Sequence, residues 1–275
     1  MVFGGILDIR GVNMKNRIIG GAIICAIIIP CFIIGGVVFD VLAGIVGLLA
    51  IFELINSDKE LKKIPMIIKG FAFVSIPLIA FMNLNHSLIT GFDPISLFIP
   101  IVLLTIPSLF LYEKGYGIKD AFKLAFITIF TGVVTNAFIT VFTTNKWLLL
   151  WLVLIAVGTD VFAYLGGRLI GKHKFTKISP NKTIEGCIVG AIFGTAIAFF
   201  FYTKMFIVTN GIIIFGTTLL LSVIGQLGDL IFSLIKRENN IKDFSHIIPG
   251  HGGICDRIDS LTFIIIVFLI IARYL

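Results

Sequence analysis

The sequence predicts an all-α, polytopic integral membrane protein with about nine transmembrane helices and its amino end in the cytoplasm. Three observations lead there. Of the 275 residues 58% are hydrophobic and only 13% are charged, with a mean hydropathy of +1.09, whereas soluble domains have about a quarter of their residues charged. The apolar runs reach the ~20 residues needed to cross ~30 Å of hydrocarbon. Basic residues also segregate: with nine spans, all but Lys146, Lys204 and Arg273 of the 22 Lys and Arg fall on one side, the bias that marks cytoplasmic loops.

The expected spans cover residues 18–37, 41–55, 70–82, 95–112, 124–143, 147–167, 186–203, 210–233 and 259–273. The first comes after Arg10, Lys15 and Arg17, but it is too long for a secretory signal and lacks a small-residue cleavage site, so it reads as a retained span. No internal repeat or low-complexity linker interrupts the chain. The organisation expected is an N-terminal multi-span region, 1–145, and a C-terminal multi-span region, 146–275, with two charged cytoplasmic loops. The net charge of +7 stems from the topological bias and calls for no nucleic acid, because the basic residues do not interleave with stacking aromatics. A basic cytoplasmic surface also attracts anionic membrane lipids and nucleotide phosphates. Cys25, Cys31, Cys187 and Cys255 are scattered, with no CxxC pair or disulfide framework; Cys25 and Cys31 read as packing residues of an apolar run and Cys255 as a space filler.

Carboxylates within apolar spans are costly and therefore point to function. Asp160 lies about two turns from the cytoplasmic end of the sixth span, Asp229 near that end of the eighth, and Asp259 opens the ninth. Glu53, at another cytoplasmic boundary, reads as a residue that snorkels or pairs with a loop lysine.

The loop from Ser233 to Asp259 contains Lys236, Arg237, Lys242, Asp243, Pro249, His251, Gly252, Gly253, Asp256 and Arg257. Adjacent glycines let backbone amides approach a ligand, and the basic residues can neutralise phosphate. Asp256 and Asp259 are spaced to share a helical face and hold a hard cation, unless they simply favour a helix start. Gln226 and Asp229 likewise share a face near the end of the eighth helix. In the other loop, Ser179 and Pro180 read as the N-cap and first residue of the seventh helix, with Lys177 and Lys182 beside an anion-attracting N-terminus; a capped helix within a basic loop is the plainer alternative.

Together these stretches resemble the phosphatidate cytidylyltransferase, or CDP-diglyceride synthase, family. Its signature is Ser, any, aliphatic, Lys-Arg, four residues, Lys-Asp, then Pro or Gly, any, His-Gly-Gly, aliphatic, any, Asp-Arg, aliphatic, Asp. Ser233 through Asp259 fills each place. A second stretch is met by Asp160, Ala163, Tyr164, Gly167, Lys177, Ser179, Pro180, Lys182, Thr183, Glu185 and Gly186. The likeness covers about residues 150–265, while the first half resembles the family only as a multi-span region.

The resemblance implies a reaction of CTP with phosphatidic acid, giving CDP-diacylglycerol and diphosphate at the cytoplasmic face of the plasma membrane. It implies Mg²⁺, leaves a second cation open, and is compatible with a homodimer. Asp229, Asp256 and Asp259 are the expected metal ligands, with Asp229, Asp256, Lys236, Arg237 and His251 in the catalytic machinery. Asp160, Lys177, Ser179, Lys182, Lys242, Gly252, Gly253 and Arg257 are the expected substrate-binding residues. Rival readings are a CTP-dependent enzyme for another lipid phosphate or a polyprenol, and a secondary transporter. The second would spread acidic residues through the membrane depth and break paired helices.

Overall fold

The computed structural model describes residues 4–81, 94–250 and 252–272. In order they form α1 (Gly4–Ile34), α2 (Val37–Ser57), α3 (Met66–Phe81), α4 (Pro94–Thr105), α5 (Ser108–Leu111), α6 (Ile118–Thr144), α7 (Lys146–Ile170), α8 (Ile184–Met205), α9 (Gly211–Glu238) and α10 (Cys255–Ile271). No strand occurs among them, only the isolated bridges Lys174–Thr183 and Ile248–Gly252. The all-helical expectation holds.

Among the described residues six stretches are long and apolar enough to cross a membrane: Val37–Ser57, Leu97–Lys114, Ile118–Thr144, Lys146–Ile170, Ile184–Met205 and Gly211–Glu238. Ile19–Ile34 and Met66–Phe81 are shorter apolar helices. Large apolar side chains such as Ile33, Val37, Leu109, Phe126 and Leu169 stay exposed, as suits a protein solvated by lipid tails, and the chain is an integral membrane protein.

Each expected apolar segment has a helical counterpart, but several ends move. Helix α1 begins at Gly4, well before residue 18. Helix α9 continues to Glu238, so Lys236 and Arg237 form its last turn, where cations oppose the negative helix end. Helix α10 begins at Cys255, which places Asp256 in its first turn and Asp259 further inside instead of at its start. The Ser179–Pro180 start for the seventh expected helix is wrong. Ser179 instead closes a turn by accepting from the Lys182 amide at 3.0 Å, and Thr183 is the N-cap of α8, its Oγ1 accepting from the Gly186 amide at 3.1 Å.

The helices group into two compact units. The first takes α1 to α5, α6 as far as Thr135, and Ile241–Arg257. Its core includes Ile51 and Ile55 of α2, Ile68, Ala72 and Ile76 of α3, Leu104 of α4, and Ala121, Leu124 and Ala125 of α6. Just beyond α2, Asp58 Oδ1 accepts from the amides of Glu60 and Leu61, both at 3.0 Å, and Oδ2 pairs with Lys123.

The second unit takes α6 from Asn136, then α7 to α9, and α10 from Ile258. Gly186, Gly190 and Gly194 recur every fourth residue and form one face of α8. A Cβ at these positions would stand 2.6 Å from Ala163 O, Thr159 O and Thr159 Oγ1 respectively, so only hydrogen at these positions lets α8 lie against the α7 backbone. Close packing through small residues is how helices associate where apolar surface gains nothing by leaving lipid. Helix α9 joins through a 2.6 Å hydrogen bond between the Thr159 and Ser222 hydroxyls and through Gly225 and Gly228, which receive Ile264 and Phe263 of α10. Trp151 meets Tyr202 and Phe268 edge-on, at centroid distances of 5.0 and 5.7 Å.

Gly190→Ala is expected to lower the thermal midpoint in detergent. Gly216→Ala, in α9 with nothing within 4 Å of the new methyl group, should be neutral or stabilising by up to ~1 kcal/mol. Equal effects would contradict the close α7–α8 approach.

Asp58 makes a pH-dependent contribution. Burial alone would raise its pKa, but the Lys123 hydrogen bond and the Leu61 and Glu60 amides outweigh burial and hold the carboxyl below its ordinary value. Its stabilisation is therefore complete above the unfolded value of about 3.9, and is lost as pH falls through the lower folded value. The midpoint difference between the wild type and Asp58→Asn should stay constant from neutral pH to about 5 and shrink below about 4; a difference that widens in acid would refute this.

Candidate active site

In the second unit, charge gathers around Asp229 of α9. Asp229 Oδ2 lies 2.5 Å from Lys182 Nζ, and its Oδ1 accepts from the Ser233 hydroxyl at 3.5 Å. Asp160 of α7 and Asp259 of α10 both lie within electrostatic range of Asp229. Lys182 also acts on Asp160, and Lys236 on Asp259. Three carboxylates and two ammonium groups thus share one electrostatic neighbourhood, with Lys182–Asp229 as its direct ion pair. Lys182 and Asp229 are only 21% and 24% exposed, which leaves the pair partly shielded yet reachable.

The lead-in to α8 is folded back on itself to deliver Lys182. Phe175 N donates to Lys182 O at 2.9 Å, and Ile184 N to His173 O at 3.0 Å. At its base the Glu185 carboxylate accepts from the amides of Lys172, at 3.1 Å, and His173, at 3.2 Å, and shares a 2.6 Å hydrogen bond with His173 Nδ1. Arg237 Nε donates to Ile178 O at 3.4 Å, tying this segment to the end of α9. One turn before Asp229, Gln226 Nε2 donates to Cys187 O at 3.2 Å, fixing α9 against the first turn of α8. Lys177 is exposed and Ser179 half-buried in the same segment.

The first unit holds the other motif residues. Lys242 and Arg257 are exposed. Asp256 Oδ2 accepts from the amides of Phe244 and Gly253, both at 3.0 Å. Gly252, at φ +88°, adopts a conformation that few L residues tolerate, and its N–H donates to Ile248 O at 3.2 Å. The amides of both glycines are therefore engaged by protein acceptors. His251 lies outside the described residues.

Glu53 departs from its expected role as a snorkelling residue or a partner for a loop lysine. It is 1% exposed and is held by the chain far downstream. Its Oε1 accepts from Ser245 Oγ at 2.6 Å and Ile254 N at 2.8 Å, and its Oε2 accepts from Cys255 N at 2.8 Å. The signal was in the sequence: a carboxylate inside an apolar helix must find donors. The donors are some 200 positions away, and local pattern gives no hint of them.

Among the described residues, no group of three His, Cys, Asp or Glu side chains stands ready to hold a metal ion. The donor chemistry around Asp229 nevertheless suits Mg²⁺, which prefers hard oxygen ligands and takes one or two carboxylates with substrate phosphates and waters instead of an all-protein cage.

Fold and site define a multi-span membrane protein with a carboxylate and lysine cluster suited to phosphate chemistry. The model of the Cytidylyltransferase family matches residues 15–275. A phosphatidate cytidylyltransferase of Bacillus subtilis (strain 168) is 33% identical over 265 residues, covering 92% of this chain and 95% of the relative. Proteins of the same name from Staphylococcus aureus (strain COL) and Staphylococcus haemolyticus (strain JCSC1435) are each 32% identical, covering 92% of this chain and 96% of each relative. The chain belongs to the cytidylyltransferase family.

The Lys182–Asp229 pair is open to a double-mutant cycle. Lys182→Met leaves the carboxylates with one cation fewer and should lower the thermal midpoint; adding Asp229→Asn should restore part of the loss, with a coupling of about 0.5–3 kcal/mol. Strict additivity would show that the two groups do not act on each other in solution.

Proposed function

We propose that this enzyme joins CTP to phosphatidic acid, releasing diphosphate and forming CDP-diacylglycerol, with its site on the cytoplasmic side of the plasma membrane. The observation that carries the reading is the match along 92% of the chain to proteins named phosphatidate cytidylyltransferase. The cluster of Asp160, Asp229 and Asp259 with Lys182 and Lys236 supports it chemically. The basic bias of one set of loops supports the orientation.

The lipid phosphate monoester, with a second pKa of ~6 like that of a phosphorylated side chain, is largely dianionic near neutral pH. Its oxygen can attack the α-phosphorus of CTP without a strong general base, forming the new P–O bond as the bond to the β-phosphate bridging oxygen breaks. The protein's tasks are alignment and charge neutralisation.

Asp229 and Asp259 are assigned to hold Mg²⁺, and Asp256 is assigned to metal binding from its motif position alone. When bound, the ion neutralises charge on the α-phosphoryl and departing diphosphate oxygens. Lys182 is held at 2.5 Å by Asp229, which keeps its ammonium directed until phosphate competes for it. Lys177, Lys236, Arg237, Lys242 and Arg257 supply further positive charge for phosphate, with Ser179 and the Gly252–Gly253 turn beside them in sequence. His251 is assigned to orient a phosphate or carboxylate.

Purified protein in detergent is expected to convert phosphatidic acid in a CTP- and Mg²⁺-dependent manner, to release diphosphate, and to stop when the metal is chelated. Asp229→Asn and Asp256→Asn should each cut turnover by at least ~100-fold while remaining monodisperse, and together be much less than additively worse. A faster reaction with a polyprenol would overturn the substrate assignment. Near-normal turnover of Asp256→Asn at limiting Mg²⁺ would return Asp256 to a purely helix-capping role.

A further inference from the structure

We infer that Glu53 is a positioning residue for cytidylyl transfer, acting through the first turn of α10. This rests on the reaction proposed above and concerns a residue outside the motifs that point to it. The Glu53 carboxylate accepts hydrogen bonds from Ser245, Ile254 and Cys255, and the last two stand directly before Asp256 and Arg257 in the chain. These donors belong to a segment remote from its own helix.

The grip is specific in shape and sign. Two donors are backbone N–H groups at the start of α10, where backbone dipoles create partial positive charge and a carboxylate is favoured. Glu53 is buried, so losing its charge or one acceptor oxygen leaves a donor without a partner, at a cost that solvent cannot relieve. Gly253 makes room for it: a Cβ there would stand 2.6 Å from Glu53 Oε1 and 2.7 Å from Oε2. One function of this glycine is thus to admit the protein's own carboxylate. Cys255 adds a contact on the same helix as Glu53, its Sγ lying 3.5 Å from Ala50 O.

The consequence for chemistry lies in the two residues just past the clamp. Ile254 and Cys255 immediately precede Asp256 and Arg257, so fixing their amides fixes the origin and direction of the turn from which those two side chains project. The anion seat at the start of α10 is occupied by Glu53, which leaves this helix end to orient motif side chains while substrate phosphate is bound by other groups. A side chain acting in this way alters turnover more than ground-state binding of CTP.

The test uses the full chain in detergent, with the folded fraction measured by monodispersity and turnover expressed per folded molecule. Glu53→Gln keeps size and one acceptor oxygen but turns the other acceptor into a donor facing a donor. Its kcat should fall by at least about tenfold while KM for CTP moves by less than about twofold, and amide exchange at Ile254 and Cys255 should accelerate. Ser245→Ala, which removes one bond and leaves the helix start held, should show a smaller fall in the same direction, and it decides the matter by the same criteria if Glu53→Gln does not fold. Gly253→Ala should be harmful alone but add little in a Glu53→Ala background, where the clashing carboxylate is gone. Unchanged turnover per folded molecule, despite faster exchange, would overturn the positioning role. Unaltered exchange at Ile254 and Cys255 would overturn the clamp itself, whereas absence of transfer by the wild-type chain would count against the proposed reaction.

Discussion

The approach of α8 to the α7 backbone is the constraint on which the second unit depends. Hydrogen at Gly186, Gly190 and Gly194 lets the two helices meet with Thr159 in the contact. Asp160 is the next residue on α7, and Lys182 lies just before the N-cap of α8. Their placement is therefore a by-product of packing, and their electrostatic relation to Asp229 is set once Thr159 bonds Ser222 and Gln226 bonds Cys187 O. Polar bonds between helices in lipid are individually modest, about 0.6 kcal/mol on average. Here they orient α9, while the glycine face supplies proximity.

In the first unit a charge is treated differently. Glu53 and Asp256 both accept backbone N–H groups from the chain just before and at the start of α10, those of Phe244, Gly253, Ile254 and Cys255, so this approach to α10 is held by one carboxylate from α2 and one from α10 itself. Each of these carboxylates gathers two backbone donors. Such bonds suit a segment whose backbone cannot rely on a ladder or helix to satisfy its donors.

Much of this was legible in the sequence because lipid imposes simple rules. Long apolar runs had to be helices, and Asp160, Asp229 and Asp259 stood out because ionised groups are rare there. Helix ends were less legible. Ser179 and Pro180 carry good start chemistry, but Thr183 is the better placed cap once the preceding segment folds back through Phe175 and Lys182. The roles of Glu53 and Gly253 were hidden because they are a pair created by tertiary structure: each stood out in the sequence, but nothing local joined one to the other. The fourfold glycine spacing in α8 is plain in the sequence, and small residues at this interval signal helix contact in membranes; which helix they receive is decided only by the tertiary fold.

That spacing raises a question of indexing. A row of equivalent notches at intervals of four residues would admit α7 at more than one setting, each displaced along the axis by about 6 Å. A slip of one notch would carry the α8 lead-in by that distance and take the Lys182 ammonium out of reach of Asp229. What distinguishes the settings is the unequal polar chemistry around the notches: the Thr159 hydroxyl must meet Ser222, and the Cys187 carbonyl must meet Gln226. The glycine face supplies the rack, and α9, bonded to both helices, is the key that selects one tooth.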